Sequence, residues 1–582
     1  MSGSLLPGDD ILGRMRKVSS WLVSAMAVVS IAGPVRAGAS AYDAKPKLVV
    51  VLVLDQFRGD YLDRYRADFK TPNGFNLFLK KGAYFPQCYY EYGNTMTAPG
   101  HSTIATGAYT DGHNIAVNEW WDLSRSKTHP VSSVEDAEYP LVGASADAEQ
   151  GASPRNELAS TLGDEVVLST GGKARLFGVS LKDRAAILTS GHASNAAYWM
   201  DHATGQWESS TYWMKDLPGW VKAFNSGDEV ERARKESGIA AGDFYEKVGA
   251  TPAAVQYELN FTKALVSFEK LGTHDVTDVL TLSISSTDIL GHEVGPDSPE
   301  QRKMIDAIDV QLNDFFDFLN AHVDGGLANV WVSLTGDHGV ATSPAVAAKE
   351  GMPAAVFPYG AMNKELNAEL NAKLAGATGG KQTRFVLGGE LPLVQIDSDA
   401  FAAAKLDERA AEEMVAAMIP GALAEAQKGK FDAPDSHALQ AATIRRVYTK
   451  AQMAAGDLPN TEEGRLLLHS VTTNGGWWVY VTPGVGNVPT GRGGVGTSHF
   501  SPYSYDRHVP LAFFGGPFVP GTYLEHAEPV DIAATFAALL GVNRPSACVG
   551  RAVTEAIKKE DGGANPTHAL GHPSEQARRE PR

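Results

Sequence analysis

"KLVVVLVLDQFRGDYLDRY", residues 47–65, opens on an unbroken aliphatic run, Leu48 to Leu54, that stops at Asp55. A strand with one wet face alternates apolar and polar residues, whereas a strand covered on both faces can be apolar throughout. The run therefore reads as a strand in the interior of a parallel sheet, with a carboxylate at its carboxyl end. Similar runs recur in "ARLFGVSLKDR" (174–184), "VLTLSISSTD" (279–288), "NVWVSLTGDHG" (329–339) and "VPLAFFG" (509–515). Helical patterns lie between them: "NGFNLFLKKG" (73–82), and residues 299–323, where Met304, Ile308, Leu312, Phe315, Leu319 and Val323 recur at helical spacing. Strands alternating with helices predict an α/β fold, a mostly parallel central sheet flanked by helices.

The strand ends carry the chemistry-bearing side chains: Asp55, Lys182 and Arg184, Asp288, and Asp337 with His338. Ligands of open α/β sheets bind beyond the carboxyl ends of the strands, so these distant residues are expected to converge on one site. The stretches near 119–173, 190–270 and 345–480 read as large cap insertions.

With 582 residues, 43% of them hydrophobic and 20% charged, the chain can bury a large core and lacks the composition of a disordered protein. Residues 15–41, "MRKVSSWLVSAMAVVSIAGPVRAGASA", carry a basic start, a short apolar stretch and small residues suited to cleavage near Ala37 or Ala41. This is the pattern of a signal peptide, so a periplasmic or secreted protein is expected, without a stable membrane span once the signal is removed. The formal charge is −17; losing residues 1–37 removes four basic and two acidic residues and leaves −19. Such an acidic chain is not expected to bind nucleic acid. Cys88 and Cys548 allow at most one disulfide, so stability must come mainly from the core. The polar tail 559–582 reads as disordered.

"SSTDILGHEVGPDS" (285–298) places Asp288 and His292 four residues apart, "TGDHGV" makes Asp337 and His338 neighbours, and "GTSHFSPYSYDRH" adds His499 in a polar loop ahead of another strand. Each alone is more often turn capping or surface polarity. Together, at the ends of buried strands, their carboxylate and imidazole groups are the donor set of a zinc-type cation. Two ligand sets can be drawn from Asp55, Asp288, His292, Asp337, His338 and His499. No G-x-S-x-G elbow, P-loop or Rossmann fingerprint is present, which weakens serine-hydrolase, NTPase and dehydrogenase readings.

With "NTMTAPGHSTIATG" (94–107), these motifs in this order resemble the alkaline phosphatase superfamily, and within it the PafA-type bacterial alkaline phosphatases with a threonine nucleophile. The ordered set is an Asp ending the first strand, T-A-P-G-H, an Asn 21 residues beyond that Thr, a K-x-R pair, DxxxH, DH, and a late His followed by SPYSYD. The resemblance covers about residues 46–555, closing on "EPVDIAATFAALLGV" (528–542), similar to the family's last core helix.

The resemblance implies two Zn²⁺ per chain, one held by Asp288, His292 and His499 and the other by Asp55, Asp337, His338 and the oxygen of Thr97. It implies that Thr97 is the nucleophile of a phosphate monoesterase, that Asn118, Lys182 and Arg184 bind the phosphoryl group, and that small-molecule phosphate monoesters are the substrates; a monomer is expected, though the sequence does not reveal the oligomeric state. Thr95, Ser102 and Thr103 would be structural and His101 would fix the loop. Phe500 departs from the small residue expected after the late His. If Thr97 opens a helix, a free Ala98 N–H would also favour the phosphoryl group. The alternatives are a nucleotide pyrophosphatase/phosphodiesterase on the same bimetal core and a non-catalytic zinc-binding surface protein.

Overall fold

The computed structural model describes residues 45–143, 151–430, 438–490, 492–559 and 569–570. The expected signal peptide and most of the expected disordered tail lie outside them. The strands that frame the site are β1 (Leu48–Leu54), β2 (Ala83–Tyr89), β3 (Leu176–Ser180), β4 (Ala196–Met200), β5 (Trp207–Ser210), β6 (Asp278–Ile284), β7 (Val330–Thr335) and β8 (His508–Phe514). They belong to one sheet in the order β2-β8-β7-β1-β6-β3-β4-β5. β1 pairs in parallel with β6 and β7, and β6-β3 and β3-β4 are also parallel, so the central strands share one direction.

β8 runs antiparallel to both β7 and β2. A short apolar run carries no signal of strand direction, which explains why the sequence does not reveal the turn-about at this side. All seven residues of β1 are buried, as a strand covered on both faces requires.

The helices that matter here are α1 (Thr97–Thr106), α2 (Asp183–Ser190), α3 (Pro252–Glu269), α4 (Ser286–Val294), α5 (Pro299–His322) and α6 (Asp531–Leu540). α5 shows how local chemistry sets an element. Ser298 caps its start by accepting from the Gln301 N–H at 3.1 Å, Pro299 takes the first position, and Met304, Ile308, Leu312, Phe315 and Leu319 form its buried face.

The region 190–270 contributes β4 and β5 to the main sheet, and α3 supplies core side chains such as Leu259, Phe261 and Leu265. The region 345–480 instead builds a four-stranded antiparallel sheet from Val386–Gly388, Leu393–Ile396, Ile444–Thr449 and Trp477–Pro483. Helices Tyr359–Lys373 and Glu408–Gln427 cover it, and their buried Leu366, Leu370, Val415 and Ile419 join Trp478 and Val481 in a second core. Met96, Ala98 and Phe500 belong to that second core, which seats this region against the start of α1. Cys88 and Cys548 are both free thiols. Among the described residues no helix is long and apolar enough to cross a membrane.

Because β1 is enclosed on both faces, truncation there leaves a hole that cannot collapse. Leu52→Ala should cost about 2–5 kcal/mol, while Val310→Ala on the exposed side of α5 should stay within roughly 0.5 kcal/mol. Guanidinium unfolding of the two variants checks the contrast; equal midpoints would contradict the two-sided burial.

Candidate active site

The carboxyl ends of β1, β6 and β7 deliver Asp55, the α4 entry with Asp288, and Asp337 to one buried space, because their parallel register sets the three ends at one level. Two groups form there whose ligand-capable atoms lie within 4.8 Å of one another: Asp288, His292 and His499, and Asp55, Asp337 and His338. Asp288 and His292 meet because one turn of α4 separates them.

The hydrogen bonds around these groups fix their protonation. His292, His338 and His499 each direct Nδ1 at a backbone carbonyl, of Thr497 at 2.9 Å, Gly339 at 3.0 Å and Thr95 at 2.8 Å. A carbonyl only accepts, so Nδ1 carries the proton and a neutral ring turns its Nε2 lone pair inward. Nε2 of His292 and of His499 face each other at 3.2 Å, and both approach Asp288 Oδ1, at 3.1 and 3.5 Å. In the other group Asp55 Oδ1, Asp337 Oδ2 and His338 Nε2 are buried without hydrogen-bond partners, though His338 Nε2 is 3.6 Å from Asp55 Oδ1 and 3.3 Å from Asp337 Oδ2. Convergent lone pairs lacking donors are what a metal cation satisfies, so these residues fit a dication held by carboxylate and imidazole ligands.

The electrostatics agree for His338 and His499, whereas at His292 burial is outweighed by Asp288, which raises that imidazole above its usual value. Burial, reinforced by the neighbouring Asp337, pushes the Asp55 carboxyl up to about 8, and burial, reinforced by Asp288, lifts Asp337 to about 7. Burial lowers His338 to about 4, and burial with the adjacent His338 lowers His499 to about 3. Burial also opposes charge on Asp288, yet His292 and Lys182 outweigh it and hold this carboxyl well below its usual range. The site is short of positive charge, and Lys182 supplies some: its Nζ sits 2.6 Å from Asp55 Oδ2 and 2.5 Å from Asp288 Oδ2, one carboxylate from each group.

Thr97 is the first residue of α1, and its Oγ1 lies 3.5 Å from Lys182 Nζ. The Ala98 N–H, expected to be free, donates to Asn118 Oδ1 at 2.9 Å. That bond turns the Asn118 amide so that Nδ2 points toward Glu390 Oε2, 3.4 Å away. Arg184 follows on α2, where its Nε is buried without a partner and its guanidinium is 3.6 Å from Asp183. Thr95 donates to the Ser501 carbonyl, Thr103 bonds Tyr92 and His113, and His101 bridges the Thr97 carbonyl and Ser283 Oγ at 2.8 and 2.7 Å. Gly100 is required by space: a Cβ there would stand 2.1 Å from the Asp337 carbonyl oxygen, so α1 could not lie this close to β7.

Sequence reasoning missed two residues. Gln56, held at a positive φ of 59°, donates its backbone N–H to Asp337 Oδ1 at 2.9 Å and its amide to Asp288 Oδ1 at 2.7 Å, tying the two groups together. Glu390 joins Met96, Asn118, Tyr359, Leu391 and Phe500 around a cavity of about 250 Å³ that opens beside His292 and His499. Phe500, the departure noted in the sequence, is one wall of that cavity.

Residues 49–480 match the type I phosphodiesterase / nucleotide pyrophosphatase family. The chain belongs to this family. It is 30% identical over 551 residues to alkaline phosphatase PhoV of Synechococcus elongatus, spanning 88% of this chain and 94% of that protein. It is likewise 30% identical over 575 residues to alkaline phosphatase PafA of Elizabethkingia meningoseptica, spanning 92% and 98%. The crystal structure of wild-type PafA superposes with a TM-score of 0.73 at 28% identity, over 88% of this chain and 99% of that one. The fold is therefore alkaline-phosphatase-like, with the mostly parallel sheet expected of it.

The donor geometry predicts separable cation sites. Equilibrium dialysis against Zn²⁺ should give about two ions per chain after chelation, each site having its own three protein ligands. His338→Ala should lose one ion and His292→Ala the other, by elemental analysis. A variant that keeps both ions would break the pairing.

Proposed function

We propose that this protein is a secreted, zinc-dependent alkaline phosphatase that hydrolyses phosphate monoesters through a covalent phospho-threonine at Thr97. Likeness to alkaline phosphatases over nearly the whole chain makes it a phosphoric monoester hydrolase of this family. One observation carries the finer reading: the Thr97 hydroxyl, both ligand groups and the Lys182 ammonium meet in one space, buried except for His292 at its edge. Secretion rests on the signal-like residues 15–41.

In this reading Asp288, His292 and His499 would hold one Zn²⁺ and Asp55, Asp337 and His338, with the Thr97 oxygen, a second; bound there, they supply a lowered hydroxyl pKa and charge for the leaving oxygen. Thr97 Oγ gives up its proton to water and attacks phosphorus in line. The new P–Oγ bond forms as the bond to the leaving oxygen breaks, and the departing alkoxide takes a proton from water. A water then attacks the phospho-threonine, the P–Oγ bond breaks, and inorganic phosphate leaves with the Thr97 hydroxyl restored. The short α1 entry and the His101 hydrogen bond to the Thr97 carbonyl keep the hydroxyl aimed throughout.

Lys182 places a fixed positive charge beside Thr97, and Arg184 carries a second in the first turn of α2, where its unpaired Nε is a donor awaiting an acceptor. Asn118 Nδ2 adds a neutral donor. A monoester dianion presents more terminal charge than a diester, one of whose oxygens is capped, so this set favours the monoester over the phosphodiesterase alternative.

Thr97→Ala is expected to fold and keep its metal while turnover falls by several orders of magnitude, since both half-reactions pass through that oxygen. Steady-state rates on an aryl phosphate beside zinc content decide it, and inactivity of Thr95→Ala with a near-normal Thr97→Ala would move the nucleophile. Removing a charged hydrogen bond costs about 1.5–3 kcal/mol, roughly tenfold to a hundredfold in kcat/KM. The Lys182→Ala, Arg184→Ala double variant should lose that much or more on a monoester and much less on the matching diester. Equal losses on both substrates would show that the pair does not read phosphate charge.

A further inference from the structure

A second cavity, of about 410 Å³, lies where the edge of the main sheet meets the segment around Glu119–Trp120. Five residues with carboxylates line it: Glu119, Glu135, Asp183, Asp201 and Glu208. Among its described lining residues there is no Lys or Arg. Glu135 has His129 at 3.5 Å, Asp183 has the Arg184 guanidinium at 3.6 Å, and Asp201 accepts from the backbone N–H and the hydroxyl of Thr204.

Glu208 is the most telling of the five. It sits on β5 at 5% exposure, its Oε1 accepts from the Trp199 indole N–H at 2.8 Å, and its Oε2 has no hydrogen-bond partner. A buried carboxylate oxygen without a donor is costly unless a ligand supplies one. Burial, with Asp201 and Asp183 nearby, raises the Glu208 carboxyl to about 7, in keeping with a missing positive neighbour.

The cavity differs from a metal site. Among the described residues, three ligand atoms come within reach of a single ion only in the two groups of the candidate active site. Here the acids surround a space large enough for a small molecule, and Trp199 on the same wall is the aromatic type that best attracts a cation. We propose that this cavity binds a small organic cation bearing N–H donors, of the alkylamine or diamine class, at a site separate from the paired ligand groups. Two of its walls are chain neighbours of the residues proposed to bind phosphate, Glu119 beside Asn118 and Asp183 between Lys182 and Arg184, so the two sites share a partition without sharing side chains.

The test is calorimetric titration of the full chain with putrescine at low ionic strength, with succinate as a dianion of similar length. Saturable binding of putrescine alone is expected, unaffected by saturating inorganic phosphate, and weakened roughly tenfold or more by Glu208→Gln. Glu119→Gln should weaken it in the same direction and serves if Glu208→Gln does not fold. No putrescine binding, equal binding of succinate, displacement by phosphate, or unchanged affinity in the folded variants would each overturn the site.

Discussion

Three buried carboxylates, those of Asp55, Asp288 and Asp337, are the constraint around which this protein is arranged. Removing a carboxylate from water costs several kcal/mol even after the protein relaxes, and crowding three together adds mutual repulsion. The fold answers with Lys182 between two of them, with Gln56 donating to two, and with imidazoles whose protons are drawn to the opposite side by backbone carbonyls. What remains unanswered is a set of lone pairs, and that deficit selects cations. A group of the same shape with balanced charge would be more stable and would hold nothing.

Much of this was legible in the sequence because it rests on short-range pattern. The aliphatic run 48–54 could hardly be anything but a covered strand, and Asp55, Asp288 and Asp337 announce themselves by following such runs. The spacing of Asp288 and His292 fits one helical turn. Local pattern reads His499 only as a histidine in a polar loop; the family resemblance set it with Asp288 and His292, and the three do come together.

Other features left no such trace. A glutamine after a strand looks the same whether it faces solvent or braces two carboxylates, so Gln56 was invisible. Lys182 and Arg184 read as a matched pair, yet the turn into α2 parts them: Lys182 enters the space between the ligand groups and Arg184 lies farther along the helix. Ala98 was expected to offer a free donor because its neighbours spell a helix start; Asn118, 20 residues on, takes that donor instead. Glu390 reaches Asn118 across 272 residues from a separately packed region, a separation no local pattern can bridge.

That separate packing has a consequence for how such a protein can change over time. The ligand groups hang on the main sheet, where a one-residue slip of β1 would turn Asp55 away from its partners. The opposite wall, with Tyr359, Glu390 and Leu391, belongs to a region with its own sheet, helices and hydrophobic interior. Mutations can therefore accumulate in that wall without disturbing strand register, and the two halves are free to drift at different rates. Reaction type would be inherited with the sheet, while preference among leaving groups could diverge within a lineage through changes confined to residues 345–480.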